Sequence, residues 1–310
     1  MTDESANSMS PTLKPSVQRR LEFIDFRLLW SGGMTRQALC DSLQISPQQA
    51  SADIAAYQDR APQNMEYDHG RRAFVRLDSF QPLYMKDYTD RYLLQLMGIR
   101  SGWIRKEDTY FDSLPASEVV TLERRRTGWQ ELVAILDGIR EGLEVKIAYN
   151  SISSPGKQGI RWIAPHAMVY SAGRWHIRAW SREHNDFRDF NLNRIERAGN
   201  HRPVNINTAL DYEWHTTFDL KLYANPKLKQ ETKEAVEREF EMADGILIKN
   251  IRLSHIFYLM VEYLLNIEPG KLDPNQQQLL PLNLDEALAE QKLARKMAAE
   301  ALQRALKERE

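Results

Sequence analysis

The sequence predicts an α+β protein. Three observations support this fold class. Helix-type spacing of apolar residues fills the first sixty residues, apolar and polar residues alternate in strand fashion between residues 145 and 195, and helical patterns return after residue 225. With 310 residues, of which 42% are hydrophobic, the chain is too long for one small core. We therefore expect more than one domain.

Composition excludes several classes of protein. Lys and Arg number 42 against 43 Asp and Glu, so the net charge does not by itself indicate a nucleic-acid-binding protein. A single cysteine, Cys40, rules out an internal disulfide framework, and no uncharged apolar run is long enough to span a membrane. The polar start is unlike a signal peptide, so we expect a cytoplasmic protein with no membrane association and a flexible first segment.

No motif of an enzyme or metal site is evident. The sequence lacks a P-loop, a GxGxxG and a GxSxG motif, and its seven histidines show no zinc-site spacing. We therefore assign no catalytic residue, no metal and no cofactor. A lone histidine is more often a packed or surface residue than a ligand.

The first element is an amphipathic helix. The run "VQRRLEFIDFRLLWSGG" has the helical spacing and ends in a glycine pair suited to a helix stop. Next, Thr35 is placed to cap a short helix that ends at Leu43. A turn follows at Gln44 and Ile45, and Ser46 precedes Pro47 at the start of another helix. Two short helices joined by a tight turn are typical of a helix-turn-helix unit.

The second short helix carries side chains suited to reading DNA. Glutamine bonds adenine bidentately in the major groove, and serine contacts bases or phosphate. The later run "NMEYDHGRRAFVRL" predicts a hairpin with two arginines just after its turn, which completes a winged helix-turn-helix. The candidate DNA-contact residues are Thr35, Arg36, Ser46, Gln48, Gln49, Ser51, Arg71 and Arg72.

A protein-docking role is the alternative for this unit. The segment is poor in lysine, and Asp41, Asp53 and Asp59 lie close to the reading helix. We favour DNA, because cap, turn and wing coincide in one segment. The low positive charge predicts modest non-specific affinity, so specific binding would need two copies on one duplex.

The middle of the chain predicts a helical connector followed by a small bent sheet. Residues 81 to 142 have helical patterns. Four strands then follow in "VKIAYNS", "IRWIAPHAMVYS", "RWHIRAWS" and "FRDFNLNRI", with short turns at 153 to 159, 172 to 173 and 183 to 186. We expect Arg188, Phe190, Leu192 and Arg194 to share one inward face of the last strand.

Inward arginines need an explanation, because burying a guanidinium without a partner is costly. They either reach past the edge of the core, pair with internal carboxylates or line a pocket for an anion. Tyr149 and Ser151 have the inward parity of their strand, and His166 follows Pro165 in the neighbouring strand. This set favours a phosphate or nucleotide-like ligand over a purely structural core.

At this point the sequence resembles a known module. The run "VKIAYNS... RWIAPHAMVYSAGRWHIRAW... FRDFNLNRI" is similar to the WYL domain, an Sm-like bent sheet of bacterial regulators. Trp175, His176 and Ile177 stand where the naming Trp-Tyr-Leu triplet would be, and two of the three depart from it, so ligand identity does not carry over. The candidate ligand-binding residues are Tyr149, Ser151, His166, Trp175, His176, Arg188 and Arg194.

The last third predicts an α/β extension domain of the kind that often follows WYL domains. We expect a helix capped by Asn225, a strand at "ILIKNIRL", an apolar helix at "SHIFYLMVEYLLN" and a final helix that opens with a capping box of Asn283 and Glu286. An apolar stripe on the final helix packs either on its own domain or on a second subunit, with the second subunit slightly favoured. The stripe consists of Ala287, Ala294, Met297, Ala301 and Leu306.

The full order resembles compact regulators encoded beside bacterial phage-defence systems of the BREX and CBASS kind. The predicted parts are a tail (1–15), a winged helix-turn-helix DNA-binding domain (16–80), a helical connector (81–130), a WYL ligand-sensing domain (131–205) and a C-terminal extension and dimerisation domain (206–310). The resemblance implies a homodimeric repressor that binds double-stranded DNA with inverted repeats and is relieved by an anionic, nucleotide-like or nucleic-acid effector. A single-strand-binding component of a defence or repair assembly and an enzyme using Ser151 and His166 are the alternatives.

Overall fold

A computed structural model describes residues 14–85, 88–122, 125–152, 158–204 and 206–307. The predicted tail therefore lies almost wholly outside the described residues, as does most of the turn expected at 153 to 159. The chain divides into two compact units, residues 1–122 and 123–310, and each is considered by itself. The α+β class is confirmed. None of the described helices is both long and apolar enough to cross a membrane.

The N-terminal unit has the winged helix-turn-helix order. Its elements are α1 (Pro15–Ser31), β1 (Gly33–Met34), α2 (Arg36–Leu43), α3 (Pro47–Arg60), β2 (Met65–Asp68), β3 (Ala73–Arg76) and α4 (Tyr88–Arg100). The strands form an antiparallel sheet in the order β1-β3-β2, so β1 adds a strand that the sequence did not predict.

Local sequence fixes the ends of these helices. Gly32 takes a left-handed conformation with φ of 72° and stops α1, as a glycine readily does. Thr35 accepts a hydrogen bond from the Ala38 amide and Ser46 accepts one from the Gln49 amide, so both predicted caps are confirmed. Gln44 turns the chain between α2 and α3 with φ of 52°.

A buried core fixes α3 against α1 and α2. Leu39, Ala50 and Ile54 are buried together, and Leu43 and Ile45 pack against their edge. A second, polar anchor joins α1 to the start of the connector. The buried Asp25 carboxylate accepts hydrogen bonds from the Tyr57 hydroxyl and from the backbone amides of Leu83 and Tyr84. Apolar packing and this hydrogen bond from Tyr57 therefore fix α3 firmly against α1.

The C-terminal unit contains two further sheets. Its elements are α5 (Trp129–Glu141), β4 (Leu143–Asn150), β5 (Gln158–Ser171), β6 (Arg174–Ser181), β7 (Asp186–Asn191), β8 (Ile195–Pro203), α6 (Tyr212–His215), β9 (Thr217–Ala224), α7 (Gln230–Glu239), β10 (Ile246–Arg252), α8 (Ile256–Glu262), β11 (Leu279–Pro281) and α9 (Leu284–Lys307). The first sheet has the order β7-β6-β5-β4-β8 and the second β10-β9-β11.

The five-stranded sheet has two differently used faces. Ile177 and Ala179 of β6 are buried with Ala134 and Ile135 of α5, which covers one face. Trp180 and Phe187 belong to a separate cluster on the other face. Register shifts interrupt the β5–β6 pairing between Pro165 and Ala167 and the β4–β8 pairing at two positions. Such bulges bend strands, which is how a short sheet becomes strongly curved.

The fourth predicted strand ends earlier in the structure than the sequence predicts. We expected Leu192 and Arg194 to continue the face of Arg188, but β7 stops at Asn191 and residues 192 to 194 form a 3₁₀ turn. The Asn191 side chain accepts a hydrogen bond from the Asn193 amide, which bends the chain out of the strand. The fifth strand, β8, was missed because its glycine, asparagine and proline obscure the strand pattern.

Two helix starts in the last third also differ from expectation. The Asn225 side chain accepts from the Lys227 amide and donates to the Gln277 carbonyl, so it builds a turn, and α7 begins only at Gln230. The Asn283 side chain accepts from the Lys221 amide of β9. It therefore ties α9 to the sheet and does not form the capping box with Glu286.

The stripe on α9 packs mainly on its own unit. Ala287 and Ala294 are buried in the core of the second sheet, and Leu302 is buried with Trp180. Met297 remains 47% exposed, while the Leu306 side chain lies outside the described residues. The expectation that a second subunit covers this stripe is thus wrong for its buried residues.

Candidate nucleic-acid interface and ligand-binding surface

The N-terminal part of α3 is the exposed face of the helix-turn-helix. Ser46, Gln48, Gln49 and Ser51 are all exposed, whereas Ala50 between them is fully buried. Each capping bond occupies one oxygen lone pair of Thr35 or Ser46 and leaves the hydroxyl hydrogen available for a phosphate oxygen. The structure brings the predicted α2 and α3 residues to one surface.

Two side-chain contacts organise this surface. Arg36 of α2 donates to the Ser51 hydroxyl at 3.2 Å, which links the two helices. The Gln49 amide donates to Asp53 Oδ1 at 3.0 Å. Asp53 is buried, and its carboxylate also accepts two hydrogen bonds from the Arg20 guanidinium, at 2.6 and 3.1 Å. One of the three carboxylates that argued against DNA, Asp53, is thus neutralised within the protein.

The wing presents its two arginines on an exposed turn. Asp68 accepts from the backbone amides of Gly70 and Arg71, which fixes the turn, and these bonds lower the pKa of Asp68. The Arg71 side chain is 76% exposed and lies 3.6 Å from Asp68, and Arg72 has a positive φ of 52°. Both guanidinium groups are therefore accessible to phosphate.

The predicted ligand residues do not share one face of the five-stranded sheet. Tyr149 is buried on the α5 side, where its hydroxyl accepts from the Asn191 amide. Arg188 of β7 is the register partner of Ala179 in β6, so it lies on that same side of the sheet. Its guanidinium, however, donates two hydrogen bonds to Asp186, at 2.6 and 2.8 Å. Ser151 directly follows β4, and Arg194 ends the 3₁₀ turn after β7.

The remaining ligand candidates lie elsewhere on the sheet. His166 belongs to the opposite face, where its ring contacts Phe187 and Trp214 and its Nε2 lies 2.9 Å from Asp211. His176 is also on that face, with its ring 5.0 Å from Tyr258. Trp175 is 47% exposed and packs on Tyr170. The expected convergence of serine, histidine and two arginines is therefore wrong, since His166 points away from Tyr149 and Arg188.

Arg178 is the centre of a buried ionic network that sequence reasoning missed. Its guanidinium donates to Asp211 at 2.7 and 2.8 Å and to Glu213 at 3.0 Å, and Asp189 lies at 3.5 Å. Arg295 of α9 donates to the second oxygen of Glu213 at 2.8 Å. The network joins β6 of the first sheet to α6 and α9.

Electrostatics inside the network follow from burial and pairing. Burial by itself would raise the pKa of Asp211, but hydrogen bonds from Arg178 and His166 lower that pKa to about 2. Burial alone would lower the pKa of Arg178, and its three carboxylates raise it instead. Arg178 and Asp211 are thus held in their charged forms. The available sequence signal was an arginine between two core residues, Ile177 and Ala179, but two of its three carboxylate partners, Asp211 and Glu213, lie more than thirty residues away.

Two cavities adjoin this network. One, of about 570 Å³, lies along β7 and α9 and includes Arg178, Arg188 and Arg295. The other, of about 420 Å³, lies between the end of β5 and the β10–α8 segment. In the described part of the chain, no three His, Cys, Asp or Glu side chains are grouped to hold a metal ion.

Three family models match the chain. The winged helix-turn-helix domain of the BrxR transcriptional regulator matches residues 16–98, the WYL domain residues 130–199, and the C-terminal dimerization domain of the BrxR transcriptional regulator residues 217–287. Together with the exposed reading helix, these matches define the class as a WYL-domain transcriptional regulator.

Relatives give the family within that class. The chain is 35% identical to the DNA-binding transcriptional repressor CapW of Escherichia coli strain KTE188, over 88% of this chain and 91% of the relative. It is 33% identical to CapW of Pseudomonas aeruginosa, over 92% and 98% of the two chains, and 30% identical to CapW of Stenotrophomonas maltophilia, over 90% and 94%. The chain belongs to the CapW family of regulators.

Proposed function

We propose that this chain is a sequence-specific DNA-binding transcriptional repressor that works as a homodimer in the cytoplasm. The observation that carries the proposal is α3, which presents an exposed polar N-terminal face beside an exposed arginine wing. The CapW relatives are named DNA-binding transcriptional repressors, and the segment 217–287 matches a dimerization domain. Both findings support the proposal.

Two copies are needed for useful affinity. The wing offers two exposed arginines per chain, and Lys and Arg do not outnumber Asp and Glu in the sequence. Non-specific affinity depends on the number of phosphates that cations neutralise, so one chain would bind duplex DNA weakly. A dimer binds two inverted half-sites about 34–36 Å apart, one helical turn along the duplex.

The proposal includes control by a ligand. An anionic, nucleotide-like or nucleic-acid effector at the WYL domain relieves repression of a phage-defence operon. The effector must bind the DNA-competent and incompetent arrangements with different affinity, because equal affinity shifts no equilibrium. The residues proposed for this role from sequence were Tyr149, Ser151, His166, Trp175, His176, Arg188 and Arg194.

A gel-shift titration tests the DNA-binding part. Purified protein is titrated on the duplex upstream of its own gene and on a scrambled duplex of equal length and composition, and its mass in solution is measured in parallel. Selective retardation of the upstream duplex by a dimer is the expected result. Equal retardation of both duplexes would contradict sequence-specific repression.

One observation favours a second function. Trp175 is about half exposed and packs on Tyr170, which makes an aromatic surface on which a base of single-stranded nucleic acid can stack. Trp180, by contrast, is buried. Tighter binding to a single strand than to any duplex, lost in Trp175→Ala, would favour a nucleic-acid-binding component of a defence or repair assembly.

A further inference from the structure

The cavity of about 420 Å³ spans the two sheets of the C-terminal unit. One wall is the end of β5, from Val169 to Ser171, and the other is formed by β10 and α8. Its volume lies within the range of small-molecule sites. A ligand held there would contact both the WYL sheet and the segment matched by the dimerization domain.

Polar groups at this cavity lack partners inside the protein. Among the described residues, neither the Ser171 hydroxyl nor His255 Nε2 has a hydrogen-bond partner, although both atoms are buried. Native proteins seldom leave such groups unpaired, because their desolvation is then uncompensated. Burial lowers the pKa of His255, so its ring is neutral at pH 7 and can donate or accept a hydrogen bond.

Charged and aromatic side chains complete the lining. Lys249 and Arg252 contribute two cations, and Glu262 contributes one carboxylate. The Arg252 guanidinium is held in place 4.6 Å from the centre of the Trp214 ring, and it donates to the Trp214 carbonyl. Tyr170 and Tyr258 are the aromatic residues of the lining. Cations beside aromatic rings suit an anion that carries a planar ring.

The larger cavity is a poorer site for an anion. Its described lining holds four carboxylates, on Asp186, Asp189, Asp211 and Glu213, against three arginines. Arg178 and Arg295 are paired with Glu213, and Arg188 is paired with Asp186. These guanidinium groups already have carboxylate partners, and the local charge repels an added anion.

We propose that the 420 Å³ cavity is the effector site and that it takes a nucleoside monophosphate. Lys249 and Arg252 hold the phosphate, Ser171 and His255 complete its hydrogen bonds, and the base lies against Tyr170. This assignment rests on the proposed function, since it names the ligand class of the same regulator. Trp175 and His176 do not line this cavity but contact Tyr170 and Tyr258, which do, and Arg188 lies outside it.

Isothermal titration of the full-length protein tests the site without DNA. The probes are the four ribonucleoside 5′-monophosphates, with inorganic phosphate as a separate probe. The variants are Lys249→Glu and Ser171→Ala. Lys221→Glu is the matched control for charge, because Lys221 is exposed on the neighbouring strand and does not line the cavity. Ser181→Ala is the matched control for a buried unpaired hydroxyl.

The expected result is saturable binding of at least one nucleotide, weakened about tenfold or more by Lys249→Glu and also weakened by Ser171→Ala. Both controls should bind like the unmodified protein. Failure of all four nucleotides to bind, equal loss in variants and controls, or equal binding of inorganic phosphate would each overturn the proposal. So would loss of binding in Arg188→Ala with Lys249→Glu unaffected.

A gel shift with and without the bound nucleotide then separates the two proposals. Release of the upstream duplex by the nucleotide, blocked by Lys249→Glu, supports both. Nucleotide binding to a protein that does not select the upstream duplex would contradict the repressor function but retain the ligand site. Selection of the duplex without nucleotide binding would do the reverse.

Discussion

Gln48 and Gln49 are neighbours in sequence, yet their side chains are held differently. Both are exposed, but the Gln49 amide nitrogen already donates to Asp53, which Arg20 holds in place. Bidentate reading of adenine uses the nitrogen and the oxygen of the amide together. Gln48 is therefore the stronger candidate for base reading, a distinction that side-chain chemistry alone does not make.

Gln48→Ala should weaken binding to the upstream duplex by about 1–3 kcal/mol and leave binding to a scrambled duplex unchanged. Gln49→Ala should weaken that binding less. To read a base, the Gln49 amide would first have to break its hydrogen bond to Asp53, so it contributes less binding energy than Gln48. Gel-shift titration measures both effects, with Gln63→Ala, an exposed glutamine outside α3, as the control. If neither substitution changes the footprint, the assignment of α3 as the recognition helix is wrong.

At the scale of single residues, Arg178 is a buried charge on which the stability of its unit depends. Its side chain is 5% exposed and serves three carboxylates, so removing it leaves those charges buried without a partner. Arg178→Met should lower the free energy of unfolding by about 3–5 kcal/mol. Urea denaturation followed by tryptophan fluorescence measures this.

Arg140→Met is the matched control for Arg178→Met. Arg140 also pairs with two carboxylates, but its side chain is 67% exposed, so its loss should change stability by no more than about 0.5 kcal/mol. Equal unfolding midpoints for the two variants would show that the buried network does not stabilise the unit.

At the scale of elements, the wing is a short hairpin whose turn is fixed by one side chain. Asp68 holds the turn, and the arginines after it have no buried partner that would restrict them among the described residues. Contacts of this kind go to phosphate and carry no sequence information. In the proposed function, the wing therefore contributes affinity, whereas α3 contributes specificity.

Arg71→Ala should weaken binding to all duplexes alike and reduce the slope of log affinity against log salt by about 1. Gel shifts at several salt concentrations measure the slope. Arg105→Ala, which removes an exposed arginine paired with Asp108, should leave it unchanged. A loss confined to the upstream duplex would mean that Arg71 reads bases.

At the scale of elements, two histidines beside the ionic network, on β6 and just before α8, make the free energy of unfolding depend on pH. Burial lowers the pKa of His176 and of His255 below the ordinary 6.5, against the opposing charge of Asp189. Arg174 and Arg194 add to the effect on His176, and Arg252 and Arg178 to that on His255. Protonation then favours the unfolded chain, so stability is complete above about pH 6.5 and falls as the pH decreases below it.

The urea midpoint should therefore drop between about pH 7.5 and about pH 5.5, and replacing both histidines with asparagine should reduce the drop. His184→Asn is the control, since His184 lies in the turn before β7 and its pairing with Glu183 is at the surface. A midpoint that is independent of pH would contradict neutral, buried histidines at these positions.

At the scale of the whole molecule, repression requires two reading helices on one duplex. The segment matched by the dimerization domain exposes Ile248, Phe257 and Val261, at 59%, 62% and 49%. A contiguous apolar patch exposed on one chain often marks a surface that binds another protein. Their exposure in one chain agrees with a homodimer formed through this segment.

The protein should therefore have a mass in solution of twice 36.1 kDa and bind an inverted repeat far more tightly than a single half-site. Phe257→Glu should shift the mass toward the monomer and remove the advantage of the inverted repeat. Val120→Glu, on an exposed residue outside the matched segment, is the control. Light scattering and gel shifts measure the two effects. A variant that stays dimeric would place the interface elsewhere.

The sequence by itself determined what short-range rules govern. Both caps, the turn at Gln44, the wing and three strands of the WYL sheet followed from side chains within a few residues of each other. The WYL resemblance came from the same local pattern. The early end of β7 and the turn at Asn225 were missed, because an asparagine side chain can bond the backbone in more than one way.

Only the tertiary structure decided which residues meet. His166 lies on the face of β5 opposite Tyr149 and meets Asp211 there, and the chain returns at Asp211 to meet Arg178 thirty-three residues from it. Neither contact has a local signal, because register and long-range pairing depend on how all the strands pack. The cavity between the sheets has the same origin, since its walls are far apart in sequence and adjacent only in the folded chain.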